Sequence, residues 1–187
     1  MRNLRAVWAV LLLTAAGCSL DYRSTEESEA LRESVPDLVF SQFTHVSVNG
    51  DKVVFRLEAG EAQLFNKKKM TVLSNVIFTE YTDSGEASIT GKAKRAVFHT
   101  DTENAELSGD VYGYSAADQV GFYAQNLVWL KDERVLKSTG LETVRIKKDD
   151  GSYIQGVYFT IDARRKSLTF DAAVRGRYFH DDKTNND

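Results

Sequence analysis

At 187 residues, with 24 basic and 27 acidic side chains and a formal net charge of −3, the chain has room for one domain and a short extension. That mildly acidic balance argues against nucleic-acid binding, which needs clustered Lys and Arg. The one dense basic run, Lys67-Lys68-Lys69, reads as a solvated turn.

The N-terminus opens with a short positive region, Met1 to Arg5. The apolar run Ala6 to Leu13 and the small residues Thr14 to Gly17 follow it. This is the layout of a signal peptide (residues 1–17), and it is shorter than the roughly 20 residues of a membrane-crossing helix. Removing it takes away Arg2 and Arg5 and no acid, which moves the charge from −3 to −5. Ala15-Ala16-Gly17-Cys18 resembles a bacterial lipobox, with Ala15 where Leu is more usual, so Cys18 is the expected lipidation site and mature N-terminus. The alternative is an ordinary signal peptide with an incidental cysteine. Cys18 is the chain's one thiol, which excludes an intrachain disulfide and a cysteine metal cluster.

Residues 18–36 read as the acylated cysteine and a polar, acid-rich tether with one helical turn near Glu26–Arg32. The tether ends at Pro36, which disfavours helix in the residue before it. The folded domain is expected over residues 37–179, with a polar, mobile tail over 180–187. Within the domain, short alternating runs replace helical periodicity, so the fold class is all-β. Asn49-Gly50 predicts a type I′ hairpin turn. After it, Val53, Phe55 and Leu57 alternate with more polar neighbours.

A strand pair then repeats. Ala62 is followed eleven residues later by Leu73, Ala96 by Leu107, and Val157 by Leu168, while Leu127 leads to Leu136 in a shorter version. The intervening turns are expected at Asn66–Lys69, Asp101–Asn104, Lys131–Arg134 and Asp162–Lys166. Unit starts lie roughly thirty residues apart, a spacing of stacked strand pairs that bury a common face. The alternative is a β-sandwich, which also yields frequent hairpins.

The alanine-containing strand, the polar turn and the returning Leu107-Ser108-Gly109-Asp110-Val111 resemble the OstA-like repeat of lipopolysaccharide-transport bridge proteins. Leu73-Ser74-Asn75-Val76 is a contracted copy. With its N-terminal anchor and single domain of this size, the chain is similar to the LptC family. The resemblance implies a single open β-jelly roll, a twisted antiparallel OstA-like sheet of repeated strand pairs behind an N-terminal signal or anchor segment. It also implies a membrane-anchored component of a lipopolysaccharide or glycolipid export bridge. Its partners would be that lipid, an inner-membrane ABC transporter complex and another OstA-like periplasmic protein. The site would be the periplasmic face of the inner membrane, with the lipid anchor standing where the family usually has a transmembrane helix.

Unbroken alternation would gather Val53, Phe55, Leu57, Leu64, Val76, Phe78, Phe98, Phe122, Leu127, Trp129, Phe159 and Phe170 on one side. Composition alone reads that face as an ordinary sandwich core, whereas the resemblance implies an open trough in which these residues are the lipid-groove candidates. Leu168, Phe170, Val174, Gly176 and Tyr178 would form a partner-binding edge strand at the C-terminus, and the stretch Phe40–Val48 an edge at the N-terminus. No cofactor, metal or catalytic constellation is legible: His45, His99 and His180 are scattered, and no glycine-rich phosphate loop or nucleophile elbow occurs. Two rival readings remain: a structural or surface lipoprotein using the repeat as scaffold, and an enzyme with a carboxylate pair formed across strands.

Overall fold

The computed structural model describes residues 34–179. The signal segment, Cys18, the tether's helical turn and the tail from His180 lie outside the described residues. The chain divides into two compact units, Met1–Val35 and Pro36–Asp187, and the sheet lies in the second.

The strands are β1 (Leu38–Asn49), β2 (Lys52–Phe65), β3 (Met70–Tyr81), β4 (Ala87–His99), β5 (Ala105–Ser115), β6 (Val120–Leu130), β7 (Val135–Ser138), β8 (Val144–Lys148), β9 (Tyr153–Asp162) and β10 (Ser167–Arg177). They form one antiparallel sheet in chain order, so each hairpin lies beside the next. Strands β7 and β8 share a single position between β6 and β9: β7 pairs with Leu127–Leu130 and β8 with Val120–Tyr123. The chain leaves the ladder at residues 139–143. There Glu142 accepts from the Asn126 backbone N–H at 3.0 Å and its side-chain amide at 2.8 Å, satisfying groups that the break leaves without ladder partners. Among the described residues β1 and β10 each pair on one side only, so the sheet is open.

The repeat is a hairpin with a constant four-residue turn. Ala62 faces Leu73 and Ala96 faces Leu107, as the eleven-residue spacing predicts. The later copies need correction. Leu127 faces Ser138 and Leu136 faces Trp129; Phe159 faces Phe170 and Leu168 faces Ile161. The eleven-residue relation therefore holds in all four hairpins, but the fourth starts at Phe159, two residues after Val157. Each turn ends on a left-handed residue, Lys69, Glu103, Arg134 or Lys166, none of them a glycine that would have marked it. The first hairpin differs as well. Asn49 pairs with Lys52, leaving Gly50-Asp51 as the loop, and Gly50 alone takes positive φ (65°). This is the type II′ arrangement, with glycine first, in place of the expected I′. A register shift at Ser47/Val48 makes Asn49 a strand residue.

Side-chain alternation breaks once in each long strand. Ala59 and Ala62, Leu73 and Val76, Ala93 and Ala96, and Ala124 and Leu127 are all buried, though a strand of period two puts residues three apart on opposite faces. The breaks line up across the sheet. Left-handed residues sit there in β1 (Gln42), β3 (Asn75), β5 (Gly109, Asp110), β9 (Tyr158) and β10 (Ala173), and pairing is interrupted at Lys92/Arg95, Ser108/Val111 and Ala172/Arg175. Such bulges add a residue and bend the strand. The result is a crease that turns the apolar side chains of both strand halves to the same side. Two core clusters lie along it: Ala59, Ala62, Leu73, Val76 and Ala96, and then Ala93, Val111, Ala124, Leu127, Val144, Ile146 and Phe159. Leu107 packs against both.

Candidate functional site

Cross-strand register resolves the apolar face into rungs. The rung at the crease runs Ala62, Leu73, Ala96, Leu107, Leu127, Ser138, Phe159, Phe170, and its members from Ala62 to Phe159 are mostly buried. Beyond it, toward the four-residue turns, runs Leu38, Leu64, Thr71, Phe98, Ala105, Trp129, Leu136, Ile161, Leu168. This rung is larger in side chain and none of its members is fully buried: Phe98 is 36% exposed, Leu168 43% and Leu38 51%. On the other side of the crease, His45, Leu57, Phe78, Gly91, Gly113, Phe122, Ile146, Ile154 and Gly176 form a matching rung.

Two glycines of that last rung make room for aromatic rings. A Cβ on Gly91 would stand 2.3 Å from the Phe78 ring, and one on Gly113 would stand 2.2 Å from the Phe122 ring. Each phenyl group lies over a bare stretch of neighbouring backbone. The arrangement is a buried floor along the crease, alanine-rich but including Leu73, Leu127 and Phe159, with partly exposed apolar side chains on both sides.

Eleven of the twelve groove candidates fall on this face; the register shift that pairs Ser47 with Phe55 but Val48 with Val53 puts Val53 out of phase, on the other face. Unbroken alternation does not account for the eleven. Leu57 and Leu64 are seven residues apart and Phe122 and Leu127 five, odd spacings that simple alternation sends to opposite faces. The crease brings them together. Val76, Leu127 and Phe159 are at most 2% exposed and belong to the floor. Phe55, Leu57, Leu64, Phe78, Phe122, Trp129 and Phe170 are partly exposed, and Val53 and Phe98 are open to solvent. Ala62, Ala96 and Leu73 were legible as repeat positions but not as part of this floor, and Ala59, Ala93 and Ala124 were not singled out; the signal for the floor was the three-residue spacing of small and aliphatic residues.

Of the edge residues, Leu168, Val174 and Tyr178 are exposed at 43%, 51% and 72%, on or just beyond a strand that, among the described residues, pairs with β9 alone. Phe170 instead packs inward, its ring 5.4 Å from that of Phe159. Gly176 sits tightly against β9, where a Cβ would meet the Tyr153 carbonyl oxygen at 2.8 Å.

Most polar groups are in turns and on the outward face, with Thr71, Ser138 and His45 the exceptions on the apolar rungs. His99 Nε2 lies 3.0 Å from Glu106, and His45 3.2 Å from Ser47. Among the described residues no three His, Cys, Asp or Glu gather as metal ligands. Hydrogen bonds from the backbone N–H groups of Arg165 and Arg164 hold the Asp162 carboxyl below the usual carboxylate range. The Ser152 backbone and hydroxyl do the same for Asp150, and Lys94 for Asp110.

A family model described as "Lipopolysaccharide-assembly, LptC-related" matches residues 7–179. The chain belongs to this LptC-related family. An uncharacterized protein of Treponema pallidum (strain Nichols) is 26% identical over 176 residues, covering 93% of this chain and 87% of that one. The crystal structure of LptH, the LptA-homologous periplasmic component of the lipopolysaccharide transport device of Pseudomonas aeruginosa, superposes with a TM-score of 0.53. That match covers 67% of this chain and 95% of LptH at 14% identity. The likeness places this LptC-family sheet in the LptA-type jelly-roll fold, the architecture its repeat implied.

Proposed function

We propose that this LptC-family protein is a periplasmic component of a lipopolysaccharide or related glycolipid transport bridge, held at the membrane by an acylated Cys18. The domain over residues 37–179 takes lipid from an inner-membrane ABC transporter complex and passes it to a second OstA-like protein. The observation that carries the reading is the rung from Leu38 through Leu64, Phe98, Trp129 and Ile161 to Leu168. It is apolar apart from Thr71, never fully buried, and runs from one free sheet edge to the other. Nine strand positions at about 4.8 Å spacing make that path roughly 38 Å long. Acyl chains gain about 0.8 kcal/mol per methylene taken from water. Such contacts lack direction, so a chain can slide along the rung without meeting a deep trap. The free edges of β1 and β10 supply backbone donors and acceptors for strand addition, which would continue the trough into neighbouring jelly rolls.

Photocrosslinkers at Phe98 and Trp129 are expected to capture glycolipid in membranes, and crosslinkers along Leu168–Tyr178 a periplasmic protein. Lipid capture only from outward-facing positions such as Val128 or Lys137 would contradict the trough, and protein adducts only from interior strands would contradict the edge.

A further inference from the structure

The outward face of the sheet, on the side of the crease away from the four-residue turns, has a different chemistry. One rung there carries Ile77, Lys92, Tyr112, Tyr123, Arg145 and Arg175. The next carries Tyr114, Lys147, Tyr153 and Arg177. The Tyr112 and Tyr123 rings lie 4.9 Å apart. The Arg145 guanidinium lies 5.8 Å from the centre of the Tyr153 ring and donates to Gln155 at 2.8 and 3.0 Å, which fixes its position. Lys92, Arg145, Lys147, Arg175 and Arg177 take part in no ion pair among the described residues, whereas the carboxylates beside them are engaged. Glu58 pairs with Arg56 at 2.9 Å, Asp110 with Lys94 at 2.6 Å, and Asp149 accepts from the Tyr114 hydroxyl at 2.8 Å. A depression of about 770 Å³ opens in the middle of the patch, lined by Lys92, Tyr112, Tyr123, Arg145, Lys147 and Asp110, among others.

We infer that this outer face docks against an anionic phospholipid bilayer. These cations, none of them in an ion pair among the described residues, meet headgroup phosphates, with one phosphate seated in the depression, and the tyrosines lie at headgroup depth. Charge complementarity carries the inference, because a chain of net charge −3 concentrates five unpaired cations on one wall. Basic residues near an anionic surface each contribute about 1 kcal/mol, roughly fivefold in partitioning. Tyrosine is a residue of membrane interfaces, apolar in the ring and wet at the hydroxyl. Ile77, 55% exposed on the same rung, suits a bilayer and adds nothing for a nucleic acid. Docking by this wall would leave the apolar face, which lies on the opposite side of the sheet, turned away from the bilayer. The inference stands independently of what the trough carries.

The test uses the full chain in vesicles, with Cys18→Ser and an environment-sensitive fluorophore on Gln125→Cys in the wall of the depression. A second label on Phe98→Cys serves as the trough-side reference. With added phosphatidylglycerol, the position-125 emission should shift toward that of a headgroup environment. The shift should be absent in phosphatidylcholine alone and abolished at about 1 M salt, where the screening length is near 3 Å. Arg145→Gln and Lys147→Gln should each lower the docked fraction about fivefold, while Lys137→Gln, outward on the other half, leaves it unchanged. Circular dichroism confirms folding of each variant. An equal shift in neutral vesicles, a parallel shift at position 98, or a shift seen only with nucleic acid or an acidic protein would overturn the inference. Lipid capture from Trp129 reports on the trough separately.

Discussion

The floor of the trough and the rung above it are built from the same hairpins, two residues apart in sequence, yet they do different work. Ala62, Ala96 and Leu127 are closed off at the crease, at 5% exposure or less. Leu64, Phe98 and Trp129 keep partly open faces despite their larger side chains. A closed core would bury the bulkiest apolar groups most deeply. Here the crease closes over alanines together with Leu127 and Phe159, while Phe98 and Trp129 in the adjoining rung stay partly exposed, which separates the residues that stabilise the sheet from those left open to the proposed ligand.

The largest effect is expected where that separation is broken at the floor. Leu127→Ala removes a fully buried side chain and should cost about 3 kcal/mol. For a domain of this size that lowers Tm by roughly 10 °C, read by thermal denaturation. Gly113→Ala should cost about 1–3 kcal/mol by displacing the Phe122 ring, and Gly91→Ala should do the same through Phe78. Chemical denaturation of these variants beside Gly140→Ala, where an added Cβ meets nothing within 4 Å, isolates the ring clash. At the outer rung the balance should reverse. Phe98→Ser is expected to change stability by less than about 1 kcal/mol, yet to reduce glycolipid capture by a crosslinker at Trp129.

The smallest effect is electrostatic and concerns the β9–β10 turn that ends this rung. The Asp162 carboxyl titrates lower in the folded chain than in the unfolded one. Its contribution is therefore full above the ordinary carboxylate pKa of about 4 and is lost as pH falls through the lowered folded value. The Tm difference between wild type and Asp162→Asn should accordingly shrink between pH 5 and about pH 3.

Sequence carried much of the fold and less of the site. The eleven-residue spacing of Ala62 and Leu73, or Ala96 and Leu107, gave the hairpins and their turns because that spacing is set by local geometry. The last two copies went astray because Leu136 and Leu168 are the conspicuous leucines, while register chose Ser138 and Phe170. The crease was hidden for a related reason: the residues that make it, such as Asn75, Asp110 and Tyr158, look ordinary, and only the buried pairs three apart betray the inversion. The basic, tyrosine-bearing wall was invisible in a different way. Lys92, Tyr112, Arg145 and Arg175 come from four strands and meet only through cross-strand register, whereas the dense run Lys67–Lys69 stands alone in a turn.

Trp129 allows the most direct test of the trough, since Trp8 is the chain's other tryptophan. With Trp8→Phe, glycolipid carrying brominated acyl chains should quench Trp129 emission and shift it to the blue, because the acyl chain lies against the indole. Full quenching of a tryptophan moved to Tyr123 on the opposite face, with Trp129→Phe, and none at Trp129 itself would contradict the account.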